Sequence, residues 1–283
     1  MKKFHLHLVS DSTGETVASV ARASLAQFDA VVAEEHLWSL MRTQGQLEKM
    51  IASLDTYPGM VMFTLVDPQM RETLRQACGK RGLPCVPILS HAIREMSNYL
   101  DQETTGHAGA QYELSEDYFA RIDAINYALE HDDGQATWEI ENADIVIVGP
   151  SRTSKSPTCV YLAYRGYKAA NVPFVPNCPL PENLFSLKQP LVVGLTIGSD
   201  RLIDIRTTRL AAMNQDVRTD YVDEEKVREE IDNAKKLFRQ QGWPVIDVTR
   251  RSVEETATLM IQYRQRQVEK RRTASSGETK EST

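Results

Sequence analysis

The residues Gly149-Pro150-Ser151-Arg152-Thr153-Ser154-Lys155-Ser156 are the stretch whose types and spacing point most directly to chemistry. They match the phosphate-binding pattern GxxxxGK[ST] at every fixed position except the second glycine, where Ser154 stands. In such a loop, backbone N–H groups converge on phosphate oxygens, and the positive end of the following helix adds to the attraction. Lys155 would neutralise charge on the terminal phosphates, and the Ser156 hydroxyl would ligate Mg²⁺. Arg152 and the hydroxyls of Ser151 and Thr153 are further candidates for phosphate contacts. Serine avoids the positive φ that glycine takes freely, so a differently shaped loop is expected. The plainer reading of the same residues is a polar strand-to-helix turn with a chance lysine.

Other candidates are weaker. His131-Asp132-Asp133-Gly134 packs a possible general base and two carboxylates at a helix end, where a simple cap would look the same. Asp11, Asp204 and Asp247 end or interrupt apolar runs, as metal ligands, proton acceptors or ordinary turn residues. Arg206 and Arg209, near Arg201, are three apart on a helical stretch; they suit either a phosphate clamp or a solvated face. His5 and His7 share one strand face, where packing is favoured over metal binding. Ser10 to Glu15 is a second candidate anion site, with Ser12 and Glu15 at capping-box spacing.

The elements that must position these residues follow from periodicity. Strands are expected over Phe4–Val9, Glu35–Leu40, Gly59–Val66, near Val86–Leu89, over Ala143–Val148, Leu191–Ile197 and Val245–Val248. Helical stretches alternate with them: Val17 to Phe28, Gln44–Leu54, Asp67 to Lys80, Tyr118–Glu130, Thr158–Arg165, Ser199–Met213, Tyr221–Gln240, and a last helix opened by a capping box of Ser252 and Glu255. Strands alternating with helices imply mostly parallel sheets covered on both faces. The expected fold class is α/β, with two α/β domains. The first spans 1–105. The second, over 106–268, is kinase-like and carries the P-loop-type strand–loop–helix, and 269–283 forms a disordered polar tail. No internal repeat is visible.

The bulk numbers narrow the function classes. A chain of 283 residues, 41% hydrophobic and 25% charged, is of globular type and can build two cores. A net charge of −6 argues against a broad basic face for nucleic acid. No window holds the roughly 18 apolar residues that would span a membrane. The opening Lys2-Lys3 is followed by an apolar run broken at His5 and His7, unlike a secretory leader. The cytoplasm is the expected compartment. Cys78, Cys85, Cys159 and Cys178 have neither zinc-type spacing nor a CxxC pair, and are expected to be reduced.

Several segments taken in order are similar to one family: Ser10-Asp11-Ser12-Thr13-Gly14-Glu15-Thr16, the run Ile122 to Gly134, the loop with Arg152, Lys155 and Pro157-Thr158, then Gly194-Leu195-Thr196-Ile197 with Arg201 and Leu202. Over Phe4 to about Gln262 the chain resembles the pyruvate, phosphate dikinase regulatory proteins, which include the phosphoenolpyruvate synthase regulators. The resemblance implies a bifunctional enzyme. It would phosphorylate a threonine of the dikinase with ADP as donor, leaving AMP. It would also remove that phosphate with inorganic phosphate as acceptor, releasing pyrophosphate. Lys155, Arg152 and Mg²⁺ suit that transfer, and Asp132 or Asp133 is the expected acceptor of the threonine proton. The synthase is the alternative target, and a homodimer is expected. On the residues alone, a small-molecule kinase using ATP and a non-enzymatic ADP-sensing module remain open.

Overall fold

Apolar runs alternating with helical stretches leave a chain few arrangements other than parallel strands joined by crossover helices. The computed structural model describes residues 2–109, 116–135, 137–213 and 220–278, and it holds that arrangement twice. The chain divides into two compact units, Met1–Glu113 and Leu114–Thr283.

The first unit runs β1 (Lys2–Val9), α1 (Glu15–Leu25), β2 (Val31–Trp38), α2 (Gln44–Thr56), β3 (Gly59–Phe63), α3 (Pro68–Lys80), β4 (Cys85–Pro87) and α4 (Ser90–Leu100). Its strands lie parallel in the order β2-β1-β3-β4. The pleat sends Leu6 and Leu8 toward Val17 and Ala21 of α1, and Val9 toward Leu47, Met50 and Leu74 of α2 and α3. Asp67 opens α3 by accepting the Met70 N–H at 2.7 Å, with Pro68 in the first turn. The capping box expected of Ser12 and Glu15 is not formed. Helix α1 starts instead on Gly14 at φ 86°, a left-handed turn with no side-chain cap.

The second unit runs α5 (Glu116–Glu130), β5 (Ile145–Pro150), α6 (Lys155–Tyr164), β6 (Ala169–Phe174), β7 (Leu191–Thr196), α7 (Ser199–Ala212), α8 (Glu224–Gln240), β8 (Val245–Asp247) and α9 (Val253–Glu278). Its parallel sheet has the order β6-β5-β7-β8, the same wiring as the first unit. Every residue of β5 and β7 is buried, as central strands covered on both faces require. Ser252 and Glu255 do form the reciprocal cap, at 3.0 and 3.1 Å. In each sheet the chain leaves the first strand to one side and then crosses to the other, which makes a switch point at the carboxyl end of that strand. The loops after β1 and β5 stand there.

Some expectations shift. Strand β2 begins at Val31 because it pairs with β1 along its whole length. Helix α4 and strand β6 were not expected from periodicity; β6 mixes alanines, Asn171 and Pro173. Gly106 and His107 line a cavity with Phe63 and Ile93, so they belong to the first unit, which extends past residue 105. Helix α9 continues through Glu278, into the segment read as a tail; Arg264 and Arg271 donate to the Gln189 carbonyl at 3.1 and 3.0 Å.

Phe238 of α8 packs directly on Gly194 of β7, where a Cβ would lie 2.3 Å from the ring. Phe238 is fully buried. Phe238→Ala is expected to cost about 3–5 kcal/mol, read from the urea midpoint of unfolding.

Candidate functional site

The loop after β5 is shaped by two close approaches. A Cβ at Gly149 would lie 2.8 Å from the Leu195 carbonyl oxygen on the neighbouring strand, so only glycine fits. Arg152 and Ser154 both adopt positive φ, 72° and 61°. The expectation that serine would avoid this conformation is therefore corrected. The Ser154 carbonyl accepts the Thr158 N–H at 3.1 Å and its hydroxyl at 2.7 Å, and these bonds hold the strained residue. Ser154 is the N-terminal cap of α6 and makes no side-chain cap bond. The positive end of the helix therefore has no side-chain cap.

Lys155 is buried beneath this loop, 5% exposed. Its Nζ donates to the Pro150 carbonyl at 3.1 Å, and the Thr153 hydroxyl donates to the same oxygen at 2.9 Å. Burial pushes the lysine down to about 8, against the opposing fields of Asp133, Cys159, Glu230 and Asp132. Among these, Asp132 and Asp133 come from the turn after α5, where Asp133 itself is left-handed. The turn is brought to the loop by Asn171, whose Nδ2 donates to Asp132 and, at 3.1 Å, to the Ser156 hydroxyl. Asn171 is buried, and its Oδ1 has no partner. One amide thus draws the Ser156 hydroxyl and the Asp132 carboxylate together at the rim of the loop.

Arg206 of α7 is not a free phosphate clamp. It is buried in a two-pronged pair with Glu230 of α8, at 2.8 and 2.9 Å. The remaining Nη donors go to the Tyr221 and Ser151 carbonyls at 3.1 and 3.2 Å, and the guanidinium lies 4.4 Å from the Tyr221 ring centroid. Arg206 therefore holds the loop from outside. Beside it is a cavity of about 680 Å³, lined by Ser151, Phe174, Val175, Tyr221 and Lys226. Sequence reasoning missed Glu230 and Asn171. Glu230 sits in a run of helical charges, and Asn171 in a strand that periodicity did not reveal.

The other candidates fall elsewhere. His131 is buried with Nδ1 at 2.9 Å from the Tyr127 carbonyl, which leaves it no exposed nitrogen for general-base work. Asp11 accepts the Val66 N–H at 2.6 Å, and Asp247 accepts the Thr249 N–H at 2.8 Å, both as turn residues. Arg201, Asp204 and Arg209 are exposed on α7. The loop from Ser10 to Thr16 lines a smaller cavity of about 200 Å³, with Asp11 and Glu15 and, among the described residues, no lysine or arginine. All four cysteines are free thiols. Among the described residues no helix is long and apolar enough to cross a membrane.

Fold and site together define an α/β protein of two parallel sheets, with a lysine-bearing strand–loop–helix at the switch point of the second. Residues 6–261 match the family model described as Kinase/pyrophosphorylase, and the chain belongs to that family, enzymes of the kinase and phosphotransferase type. A relative from Paramagnetospirillum magneticum is 53% identical over 96% of this chain and 87% of its own, and is named "Putative pyruvate, phosphate dikinase regulatory protein". Relatives of the same name from Maricaulis maris and Caulobacter vibrioides are each 50% identical over 91% of this chain, covering 92% and 82% of theirs.

Three outcomes follow from this geometry. Glu230→Ala strands a buried guanidinium and is expected to cost about 3–5 kcal/mol, measured by urea unfolding. Lys155 is charged in the folded chain only below about pH 8. Calorimetric affinity for inorganic phosphate should therefore fall as pH rises through that value. Stability follows the opposite course. Between about 8 and the ordinary 10.5 the unfolded chain binds more protons at this lysine, so its contribution rises with pH. Lys155→Met should abolish both dependences.

Proposed function

We propose that this chain transfers the β-phosphoryl group of ADP to a threonine of pyruvate, phosphate dikinase, and removes it again with inorganic phosphate. The observation that carries the reading is the buried Lys155 under a loop whose rim holds Ser156, Asn171, Asp132 and Asp133. The relatives' printed names support the choice of partner.

In the forward direction the threonine oxygen attacks the β-phosphorus, and the bond to the bridging oxygen breaks, leaving AMP. The threonine proton passes to Asp132 or Asp133. In reverse, a phosphate oxygen attacks the phosphothreonine phosphorus, the bond to the threonine oxygen breaks, and pyrophosphate leaves. That oxygen recovers a proton from the same carboxylate. Both directions pass through a phosphoryl group carrying spread negative charge, so alignment and charge neutralisation matter most. Lys155 supplies positive charge at the floor, the α6 terminus supplies backbone donors, and Arg152 stands exposed at the loop. When bound, Mg²⁺ at Ser156 and Asp132 would neutralise the phosphate oxygens. The cavity beside Ser151, with Phe174 and Tyr221 on its wall, suits the nucleoside half of the donor.

The test is incubation of the chain with dikinase, Mg²⁺ and β-labelled ADP. Label should appear on a dikinase threonine and leave as pyrophosphate when phosphate is added. Lys155→Ala should reduce both rates by about 10²–10³-fold while the circular dichroism spectrum is unchanged. Label on phosphoenolpyruvate synthase instead would keep the chemistry and change the partner. Label on neither would sink the proposal and leave a small-molecule kinase or an ADP sensor.

A further inference from the structure

We propose that the first unit carries a binding site for a late first-row divalent cation, of which Zn²⁺ is the best fit, made by His5, Glu34 and His36. This site lies on the paired strands β1 and β2, and its case does not depend on the phosphate loop.

The register places His5 beside Glu34 and His7 beside His36. Alternate residues share a face of a sheet, so the three histidines and the glutamate stand together. His5 Nδ1 lies 3.0 Å from His36 Nε2 and 3.6 Å from Glu34 Oε2. One ligand atom from each of the three residues lies within 4.8 Å of the others. A tetrahedral ion with bonds of about 2.0–2.1 Å sets its ligand atoms about 3.3 Å apart. The side chains are therefore spaced close to what such an ion demands. Two imidazoles and a carboxylate with a fourth position open to water are a donor set that Zn²⁺ accepts.

The surroundings hold these rings in place. His7 is buried, with Nε2 donating to the Tyr57 carbonyl at 2.8 Å and Nδ1 accepting the Trp38 indole N–H at 3.3 Å. With both nitrogens engaged, His7 serves as a wall, stacked on His36 at a centroid distance of 4.6 Å. The Tyr57 ring sits 5.3 Å from His5 and 5.1 Å from His36. These ring contacts limit the orientations open to His5 and His36. Glu34 adds its carboxylate from the exposed side, 68% accessible to solvent.

The test uses the full chain, stripped of metal by dialysis against a chelator. It is titrated with Zn²⁺ alone against a chromophoric chelator, and with Co²⁺ alone by visible absorption. One equivalent of Zn²⁺ and a tetrahedral-type Co²⁺ spectrum are expected. His36→Ala and His5→Ala should each weaken Zn²⁺ on the order of 100-fold, while His91→Ala on α4 leaves it unchanged. Glu34→Gln alters an exposed side chain and keeps the fold if the alanine variants do not; it should also weaken Zn²⁺. Absence of a bound equivalent overturns the site, as does wild-type affinity in any of the three folded ligand variants.

Discussion

An ammonium group removed from water needs negative partners close by, and that requirement organises the second unit. Lys155 lies under its loop with one carbonyl acceptor, so the deficit is met by fields rather than by a single ion pair. Meeting it draws three separate stretches of chain to one point: the turn after α5, the carboxyl end of β5, and α8 with Glu230. Gly149 allows the loop to lie against β7, and Arg206 ties the loop to α8. The site stays electrostatically strained, with a cation whose proton is loosely held. Under the proposed function, the diphosphate of the donor would relieve that strain, a form of preorganisation.

Much of this was legible in the sequence, for identifiable reasons. The apolar run Ile145 to Val148 is a central strand on any reading, and the lysine four residues after Ser151 stands at the start of the helix that follows it. Helices with a strong local start, such as Asp67-Pro68 and Ser252 with Glu255, stand where their caps put them. The failures come from long-range contacts. Ser12 and Glu15 have the right spacing for a cap, but the turn at Gly14 takes the chain another way. Ser154 takes a glycine-like conformation because Thr158 holds its carbonyl. Arg206 and Glu230 are 24 positions apart, and in sequence each looks like an ordinary surface charge. The convergence of His5 with Glu34 and His36 depends on strand register, which no local pattern announces.

The two sheets share one wiring but differ in what their switch points offer. After β5 the loop presents a lysine and an uncapped helix end. After β1 the corresponding turn presents hydroxyls, Asp11 and Glu15. Fold alone therefore does not distinguish the two crevices; the charge of a few side chains does.

The division of the chain has a consequence for how it is made. Among the described residues, each sheet is assembled wholly from its own consecutive segment, Met1–Glu113 or Leu114–Thr283. The first sheet is thus complete in sequence before β5 leaves the ribosome. Domains emerging in this order can close one at a time, at a synthesis rate of about 5–20 residues per second. The nascent first unit has β2 and β4 as its edges. β2 carries Glu34, Glu35 and His36 along its length, and charges on an edge strand oppose pairing with a neighbouring chain on the same polysome.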